Sequence, residues 1–480
     1  MQELTGSAVA GLRAAFADAG YTVDGVAERL GVQANAALAR NETAPAFRRT
    51  ASGDALDTMI RLFLLQRPVP ETVVRNVFPG VDLVALGIVT AGADEVRAVL
   101  DIRPFAEDGR EWWVVADLTP GLDGRREVMR PDYVLGIAPA SLSLVQLTVP
   151  IKVERALDIG TGCGIQSLHL SGRADQLTAT DVNPRALQLA RWTAALNGVE
   201  LDLRDGSLYE PVRGERFDLI VSNPPYVISP PGGDLTYRET GFTGDAVVEQ
   251  LVRQAPDHLT DGGWCQLLAN WTCVRGEDWQ ERIAGWTADR SAWAVQREQL
   301  DTSEYVELWL RDAGLHGTAQ YTSRYDEWMR YLDDHSVEAI GMGWITLHNV
   351  EGTLDAEPWP YEIERPIGPH VLHRFERKEG LPTDLTGLHL RLAEDVIQET
   401  TGQPGAEDPA TIVLRRQRGM RRAEQVDTVL AGFVGACDGD LSTGQILAAL
   451  ADLMDRPVVD VLTEYLPQVR NLVVEGFLDY

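Results

Sequence analysis

Short apolar runs alternate with segments of helical periodicity from about residue 126 to residue 350. This alternation is typical of an α/β sheet whose strands are joined by helices. A helical insert at 303–334 interrupts the pattern between the last two runs. The apolar runs predict seven strands, at residues 155–159, 177–181, 200–203, 217–221, 264–270, 292–298 and 337–349.

The segments on either side of this sheet follow other patterns. Helical periodicity fills residues 1–50, and residues 95–118 predict two alternating strands joined by a hairpin turn at Asp108-Gly109. Residues 54–89 and 441–480 share one plan, in which two apolar helical stretches are separated by Arg-Pro-Val. Both stretches resemble small winged-helix modules, and a plain helical packing unit is the alternative.

These patterns predict three domains. Residues 1–125 form a helical and β-hairpin domain for substrate recognition, and residues 126–378 contain the sheet. Residues 379–480 form a helical, winged-helix-like domain. The Gly- and Pro-containing stretch at 401–410 is predicted to be a linker.

Composition and length favour a cytoplasmic protein of several domains. The 480 residues are 44% hydrophobic and 24% charged, which is ordinary for globular domains. No run of about 18 apolar residues indicates a membrane span, and the first residues lack the pattern of a signal peptide. The four cysteines are not spaced as metal ligands, which predicts a reducing compartment, no disulfide framework and no metal site.

The net charge of −29 bears on the choice of partner. So acidic a chain repels polyphosphate at long range, which disfavours general affinity for nucleic acid. A local basic cluster could override that repulsion by contacting RNA phosphates or an acidic protein, and a solvated face that pairs with surplus acids is the alternative. The densest cluster is RRQRGMRR, with Arg415, Arg416, Arg418, Arg421 and Arg422.

A glycine-rich loop follows the first predicted strand of the sheet. The stretch ALDIGTGCGIQ (156–166) has three glycines, which permit positive φ and let a ligand approach the backbone closely. Their spacing is Gly-x-Gly-x-Gly and differs from the Gly-x-Gly-x-x-Gly of dinucleotide sites. Asp158 precedes the loop, where a carboxylate opposes a phosphate and suits a cationic ligand.

Two further acids follow the next two predicted strands. Asp181 ends the second strand, where a carboxylate can accept both hydroxyls of a ribose. Asp205 follows the third strand and is placed to meet an adenine edge. A ribose, an adenine and a cationic sulfonium end together describe S-adenosylmethionine, which would lie over the carboxyl ends of the strands.

The fourth predicted strand ends in the stretch Asn223-Pro-Pro-Tyr226. The prolines fix φ and donate no hydrogen bonds, so the carbonyl groups stay pointed outward. The side-chain oxygen of Asn223 and the carbonyl of Pro224 can then accept both hydrogens of one planar –NH2 group, while Tyr226 offers a ring for stacking. The sequence therefore predicts methyl transfer to a planar nitrogen, driven by orientation and without a strong base.

These motifs together resemble class I methyltransferases of the "small domain" type. The resemblance rests on LDIGTGCGIQSLHL, ATDVNPRALQLARWTAALNGV and RDGSLYEPVRGERFDLIVSNPPYVISP, and it covers residues of about 130–350. That group includes release-factor glutamine methyltransferases and ribosomal-RNA guanine and adenine N-methyltransferases. The resemblance implies a Rossmann-like methyltransferase sheet at 126–378, with S-adenosyl-L-methionine as cofactor and S-adenosyl-L-homocysteine as product.

Two more stretches are similar to the family, and one departs from it. The segment at 134–149 is similar to the family's segment before the sheet, whose Ser141 region covers the methionine end of the cofactor. The stretch at 241–268 is similar to the glutamine-methylating branch, where a glycine–aspartate pair precedes a helix. About 100 residues beyond the sheet have no counterpart in that branch, so the substrate does not carry over from the resemblance.

The candidate site residues follow from these motifs. The candidate catalytic residues are Asn223, Pro224, Pro225 and Tyr226. The candidate cofactor-binding residues are Ser141, Asp158, Gly160, Thr161, Gly162, Gly164, Ile165, Asp181, Val182, Asn183, Asp205, Gly206, Ser207 and Asn223. A loop with Tyr237-Arg-Glu-Thr240 is a candidate lid, in which Arg238 or Glu239 could select the substrate.

The sequence thus predicts an S-adenosylmethionine-dependent methyltransferase that acts on a glutamine-type amide of a protein or peptide. The net acidity tilts the choice toward a polypeptide and away from the exocyclic amine of an RNA base. A specialised peptide or natural-product methyltransferase, even one acting on oxygen, is another alternative. An inactive cofactor-binding assembly module is the alternative from outside enzymes, and the oligomeric state is left open.

Overall fold

The computed structural model describes residues 4–107, 109–124, 130–225, 227–231, 244–404 and 409–480. Its contacts divide the chain into two compact units. The first unit comprises residues 1–145 and 152–359, and the second comprises residues 146–151 and 360–480. The three domains predicted from the sequence are not tested by this division into two units and stay a prediction.

The N-terminal part of the first unit combines helices with short antiparallel strands. The elements are α1 (Gly6–Asp18), α2 (Val23–Leu38), α3 (Ala44–Arg49), α4 (Ala55–Met59), a π-helical turn (Ile60–Leu64), β1 (Val69–Pro70), α5 (Glu71–Val77), β2 (Val89–Ala91), β3 (Glu95–Ala98), β4 (Leu100–Glu107), β5 (Arg110–Asp117) and a 3₁₀ turn (Leu122–Gly124). Strands β1, β3 and β2 form one sheet in that order. Strands β4 and β5 pair antiparallel, as the alternation predicts, and Asp108 of the predicted turn lies outside the described residues.

The central sheet and its helices occupy the rest of the first unit. The elements are α6 (Pro139–Leu147), β6 (Val153–Ile159), α7 (Ile165–Leu170), β7 (Ala174–Asp181), α8 (Pro184–Asn197), β8 (Asp202–Asp205), a 3₁₀ turn (Glu210–Val212), β9 (Phe217–Ser222), α9 (Ala246–His258), β10 (Leu259–Val274), α10 (Trp279–Thr287), β11 (Arg290–Asp301), α11 (Thr302–Asp312), α12 (Tyr321–Asp334), β12 (Val337–Glu351) and β13 (Leu354–Pro358). The strand order is β13-β11-β12-β10-β9-β6-β7-β8. Strand β12 is antiparallel to both of its neighbours, and the other pairs are parallel.

The predicted α/β fold is confirmed, but the predicted count of seven strands is wrong by one. Six of the seven apolar runs lie within a strand of the sheet, and the run at 200–203 overlaps β8, which begins two residues later, at Asp202. The eighth strand is the edge strand β13, whose residues are at most half-buried. A strand at an edge needs no apolar run, so this element gave no hydrophobic signal in the sequence.

The N-terminal elements share one hydrophobic core with the helix that follows β7. Leu12, Phe16 and Phe63 belong to the same buried cluster as Leu189 and Trp192 of α8. Hydrogen bonds reinforce this packing, because the side chain of Asn197 accepts from the backbone N–H of Trp113 at 2.9 Å and donates to its carbonyl at 2.8 Å. Helix α8 is thereby fixed, and its first residues lie at the site described below.

The second unit contains helices and small antiparallel sheets. The elements are α13 (Gly368–Gly380), β14 (Arg391–Leu392), β15 (Val396–Thr401), β16 (Thr411–Arg416), β17 (Ala423–Val426), α14 (Thr428–Gly435), α15 (Thr443–Leu453), α16 (Val458–Val474) and β18 (Leu478–Asp479). The predicted linker at 401–410 joins β15 to β16, which pair antiparallel, so it connects two strands of one sheet and not two domains. In the part of the chain that the structure describes, no helix is long and apolar enough to cross a membrane.

Most arginines of the basic cluster form ion pairs with acidic residues of the second unit. Arg415 pairs with Glu399 at 3.0 Å, and Arg416 pairs with Asp395 at 2.8 Å. Arg421 pairs with Glu362 at 3.0 Å. Arg422 of the cluster and Arg374 both bind the carboxylate of Glu475. These ion pairs are buried, because each of the three side chains is at most 9% exposed.

We predict that Glu475→Gln destabilises the second unit by about 3–5 kcal/mol, because it leaves two buried guanidinium groups without their carboxylate. Hydrogen exchange of the α16 amides, measured as a function of urea concentration, reports this loss of stability. Glu399→Gln removes an exposed partner of Arg415 and serves as the control, which should leave exchange unchanged. Equal effects of the two variants would contradict a structural role for the buried pair.

Candidate active site

A cleft opens where strands β6, β7 and β9 end at their carboxyl edge. It encloses about 800 Å³ of empty space, its open mouth included. In this arrangement β6 lies between β7 and β9, so the connections after β6 and β9 leave the sheet beside one another. The lining residues are Tyr133, Val134, Leu135, Gly136, Ser141, Gly160, Thr161, Gly162, Cys163, Ile165, Gln166, Asp181, Val182, Asn183, Ala186, Asn223 and Pro225.

The glycine loop forms the floor of the cleft. Gly160, Gly162 and Gly164 have φ of 72°, 55° and 84°, a region that other residues rarely adopt. A Cβ at Gly160 or Gly162 would meet no atom within 4 Å, so the missing side chains leave open space for a ligand. The N–H groups of Gly160 and Thr161 both donate to the carbonyl of Thr180, at 2.9 and 3.0 Å, which holds the loop against β7.

Asp158 lies beneath the loop and does not line the cleft. One of its carboxylate oxygens accepts the hydroxyls of Thr161 and Ser167, both at 2.7 Å, and the backbone N–H of Ser167 at 3.1 Å. The other oxygen is buried and has no hydrogen-bond partner among the described residues. Burial raises the pKa of Asp158 to about 6, although the hydrogen bonds from Thr161 and Ser167 act to lower it. The structure therefore gives this carboxylate a role in holding the loop, whereas the sequence suggested direct contact with a cation.

Asp181 lines the cleft from the end of β7. Its two carboxylate oxygens accept the backbone N–H groups of Gly162 and Asn183, both at 2.9 Å, so its position is fixed from both sides. Burial raises the pKa of Asp181, and these backbone hydrogen bonds oppose that rise. Asn183 caps α8 by accepting the N–H of Arg185 at 3.0 Å, and Val182 is half-exposed between them. All three of these candidates line the cleft.

The residues after β8 lie outside the cleft lining. Asp205 is opposite Asp181 in the parallel register and is exposed. The N–H of Gly206 donates to the carbonyl of Asp181 at 3.2 Å, and a Cβ at Gly206 would lie 2.7 Å from the ring of Pro211. Gly206 therefore serves the turn, and contact of Asp205, Gly206 and Ser207 with a cofactor remains a proposal.

The Asn-Pro-Pro corner forms the opposite wall. Asn223 and Pro225 line the cleft, and Pro224 is buried behind them. The side-chain oxygen of Asn223 is buried and has no hydrogen-bond partner among the residues that the structure describes. Tyr226 and the candidate lid at 237–240, with Arg238 and Glu239, lie outside the described residues.

Several lining residues were not predicted from the sequence. Tyr133, Val134, Leu135 and Gly136 form the rim before α6, and the amide of Gln166 donates to the carbonyl of Ser141 at 2.8 Å. The resemblance to the family includes residues 134–149, but it predicted a site residue only at Ser141. Cys163 also lines the cleft, and burial raises the pKa of its thiol to about 12, so the thiol packs as a neutral group.

The glycine–aspartate pair at 244–245 has a structural role. The carboxylate of Asp245 accepts the N–H of Thr272 at 2.8 Å and binds the guanidinium of Arg282 through both oxygens, at 2.7 and 2.5 Å. It therefore ties the start of α9 to β10 and α10. Among the described residues, no group of three or more His, Cys, Asp or Glu is placed to bind a metal ion.

Comparisons with known proteins agree with this geometry. A family model described as a methyltransferase small domain matches residues 137–274, and one described as a domain of unknown function matches residues 18–99. Residues 137–274 thus match a methyltransferase small domain, which confirms the resemblance seen in this part of the sequence.

Three relatives show how far the similarity extends. The chain is 38% identical to a release factor glutamine methyltransferase of Xylella fastidiosa, over 25% of this chain and 47% of the relative. It is 34% identical to a release factor glutamine methyltransferase of Deinococcus radiodurans, over 35% of this chain and 62% of the relative. It is 31% identical to a ribosomal RNA small subunit methyltransferase C of Salmonella arizonae, over 37% of this chain and 47% of the relative. The chain thus spans less than two thirds of the length of each.

We predict that the buried Asp158 makes the protein less stable as the pH rises. Its pKa is about 6 in the folded chain and 3.8 in the unfolded chain, so the folded state alone keeps the proton between these values. Its contribution to stability is complete below about pH 4 and is lost by about pH 6, on the order of 3 kcal/mol in total. Urea unfolding across this range should show that loss in the difference between the wild type and Asp158→Asn, because carboxylates with a lowered pKa, such as Glu215, gain stability over the same range in both proteins.

Ser167→Ala provides a check of the sign. It removes a hydroxyl that stabilises the ionised carboxylate, so the loss of stability should shift to higher pH. A difference between wild type and Asp158→Asn that does not vary with pH would contradict the assignment.

Proposed function

We propose that this protein is an S-adenosylmethionine-dependent methyltransferase whose acceptor is the side-chain amide nitrogen of a glutamine in a protein or peptide. The methyltransferase small domain and two of the relatives named above support the reaction class and the acceptor. The four cysteines are free, which supports a reducing compartment, and we place the protein in the cytoplasm.

The observation that carries this proposal is the unpartnered oxygen of Asn223. A buried acceptor without a hydrogen bond costs about 1–3 kcal/mol, which a ligand that supplies a donor would recover. This oxygen borders the cleft and follows the strand next to the glycine loop. An amide –NH2 that enters the cleft would supply the missing donor.

The residues of the cleft fit the cofactor. Asp181 presents a fixed carboxylate to the ribose hydroxyls, and the glycine loop leaves open space for the adenosyl group. Asp181 is also the one acidic residue among the described residues that line the cleft, which suits a cationic ligand. When bound, S-adenosylmethionine supplies a methyl group already activated on its sulfonium sulfur.

The chain's own contribution is orientation. The oxygen of Asn223 and the carbonyl of Pro224 accept the two hydrogens of the acceptor –NH2, which leaves the lone pair of the nitrogen directed into the cleft. No His, Glu or Lys lines the described cleft, so the proton of the methylated nitrogen leaves to solvent after transfer. Tyr226 would complete the acceptor site by stacking.

A polypeptide fits the charge of the protein better than RNA does. The chain carries a net charge of −29, and four of the five arginines of the basic cluster already bind acids of the same unit. Phosphates would have to break those ion pairs in order to bind there. Similarity to an RNA methyltransferase keeps an RNA base as the second candidate, and the test below separates the two.

The test uses a methyl-tritiated donor. Purified protein and labelled S-adenosylmethionine are added to an extract of cells that lack the gene. The proposal predicts label that protease removes and ribonuclease does not. Label that only ribonuclease removes would contradict the polypeptide acceptor.

Asp181→Ala should weaken the binding of S-adenosylhomocysteine by about 10-fold or more, because two hydrogen bonds to a charged acceptor are lost. Isothermal titration calorimetry measures this directly. Asp202→Ala, at the exposed start of β8, is the control and should bind as the wild type does. Unchanged affinity of Asp181→Ala would remove Asp181 from the site.

Asn223→Ala should bind S-adenosylhomocysteine within about twofold of the wild type and lose turnover by about 100-fold, because the acceptor is no longer oriented. Initial rates of methyl transfer to the labelled acceptor give the comparison. Full turnover of this variant would refute the proposed clamp on the amide.

A further inference from the structure

We propose that the helical insert formed by α11 and α12 positions the Asn-Pro-Pro corner through the hydroxyl of Tyr305. This inference rests on the proposed function, because it assumes that the corner holds the methyl acceptor. It assigns Tyr305 as a positioning residue that acts through Asn223.

The corner has few ways to be held in place. Pro224 and Pro225 carry no backbone N–H, so this part of the chain cannot donate to a neighbouring strand. On one side, β9 is paired up to Ser222, which lies opposite Ile159 of β6 and Leu267 of β10. Among the described residues the pairing of β9 ends at Ser222, so the position of Asn223 also depends on what holds the chain after the corner.

Tyr305 of α11 provides an attachment there. The backbone N–H of Ile228 donates to its hydroxyl oxygen at 2.8 Å, three residues after Pro225. The amide of Asn270, near the end of β10, donates to the same oxygen at 3.4 Å. Tyr305 and Ile228 are at most 1% exposed, so the hydrogen bond between them is shielded from water.

Apolar packing holds the phenol ring in place. Ile228 and Tyr305 belong to one buried cluster with Val306 and Leu310 of α11 and Trp328 of α12. The ring is therefore fixed by the insert, while its hydroxyl reaches the segment that follows the corner. The corner is thus held at Ser222 by the sheet and at Ile228 by the insert.

The second helix of the insert makes a similar contact. The hydroxyl of Tyr331 on α12 accepts the backbone N–H of Gly244 at 2.9 Å, just before α9. Each helix of the insert therefore places one phenol against a backbone N–H of the chain between β9 and α9. The insert acts as a frame for this connection, beyond its contribution to the core.

Tyr305→Phe is the direct test, because it keeps the ring and removes only the acceptor. We expect kcat to fall by about 10-fold, since the N–H of Ile228 is left buried without a partner and the corner shifts. The affinity for S-adenosylhomocysteine should stay unchanged, because Asp181 and the glycine loop belong to β6 and β7. Tyr325→Phe, on α12 and half-exposed, is the matched control and should behave as the wild type does.

A double-mutant cycle separates positioning from general stability. If Tyr305 acts through Asn223, Tyr305→Phe should change the residual rate of Asn223→Ala by less than about twofold. Additive losses in the double variant would overturn the proposal, as would wild-type turnover of Tyr305→Phe. The cycle uses whichever acceptor carries the label in the tritium experiment. If that acceptor is RNA, the proposed function is contradicted, but the cycle still measures the coupling between Tyr305 and Asn223.

Hydrogen exchange provides a readout that needs no acceptor. Tyr305→Phe should accelerate exchange at the backbone amide of Ile228 and leave the amides of Gly160 and Thr161 unchanged. Unchanged exchange at Ile228 would overturn the attachment itself, whatever the protein methylates.

Discussion

Parallel pairing of β6 with β7 and with β9 is the constraint on which the site depends. Because parallel strands end at the same edge of a sheet, the glycine loop, Asp181 and Asn223 meet there although they lie far apart in sequence. The register is specific, since Ile159 lies opposite Thr180 on one side and Ser222 on the other. A shift of β7 or β9 along β6 would separate the glycine loop and Asp181 from the Asn-Pro-Pro corner.

The polar groups around this edge divide into those that are satisfied and those that are not. Asp181 is bound by two backbone N–H groups, which keeps its carboxylate in place, and Asp245 is saturated by Thr272 and Arg282. Asn223 has a buried oxygen without a partner among the described residues. Asp181 and Asp245 build the frame, whereas the oxygen of Asn223 borders the cleft, where a ligand can complete its hydrogen bonding.

Much of the sheet and the cofactor side of the site could be predicted because their signals are local. An apolar run predicts a buried strand, and a run of glycines after it predicts a loop that a ligand can approach. Asp158 shows the limit of such reasoning, because its partners Thr161 and Ser167 turn it beneath the loop, and that direction depends on how the loop closes. Tyr305 lies some 80 residues beyond the corner, and only the folded chain brings its hydroxyl to Ile228. The edge strands β13 and β15 were missed because neither has a continuous apolar run of strand length.

The central claim is that one cleft holds the methyl donor against the Asn-Pro-Pro corner. A crystal structure with S-adenosylhomocysteine bound tests it most directly. We expect the ribose hydroxyls at hydrogen-bond distance from Asp181, about 3 Å, and the sulfur facing the side-chain oxygen of Asn223. A ligand bound elsewhere, or an Asn223 side chain turned away from the sulfur, would contradict the account.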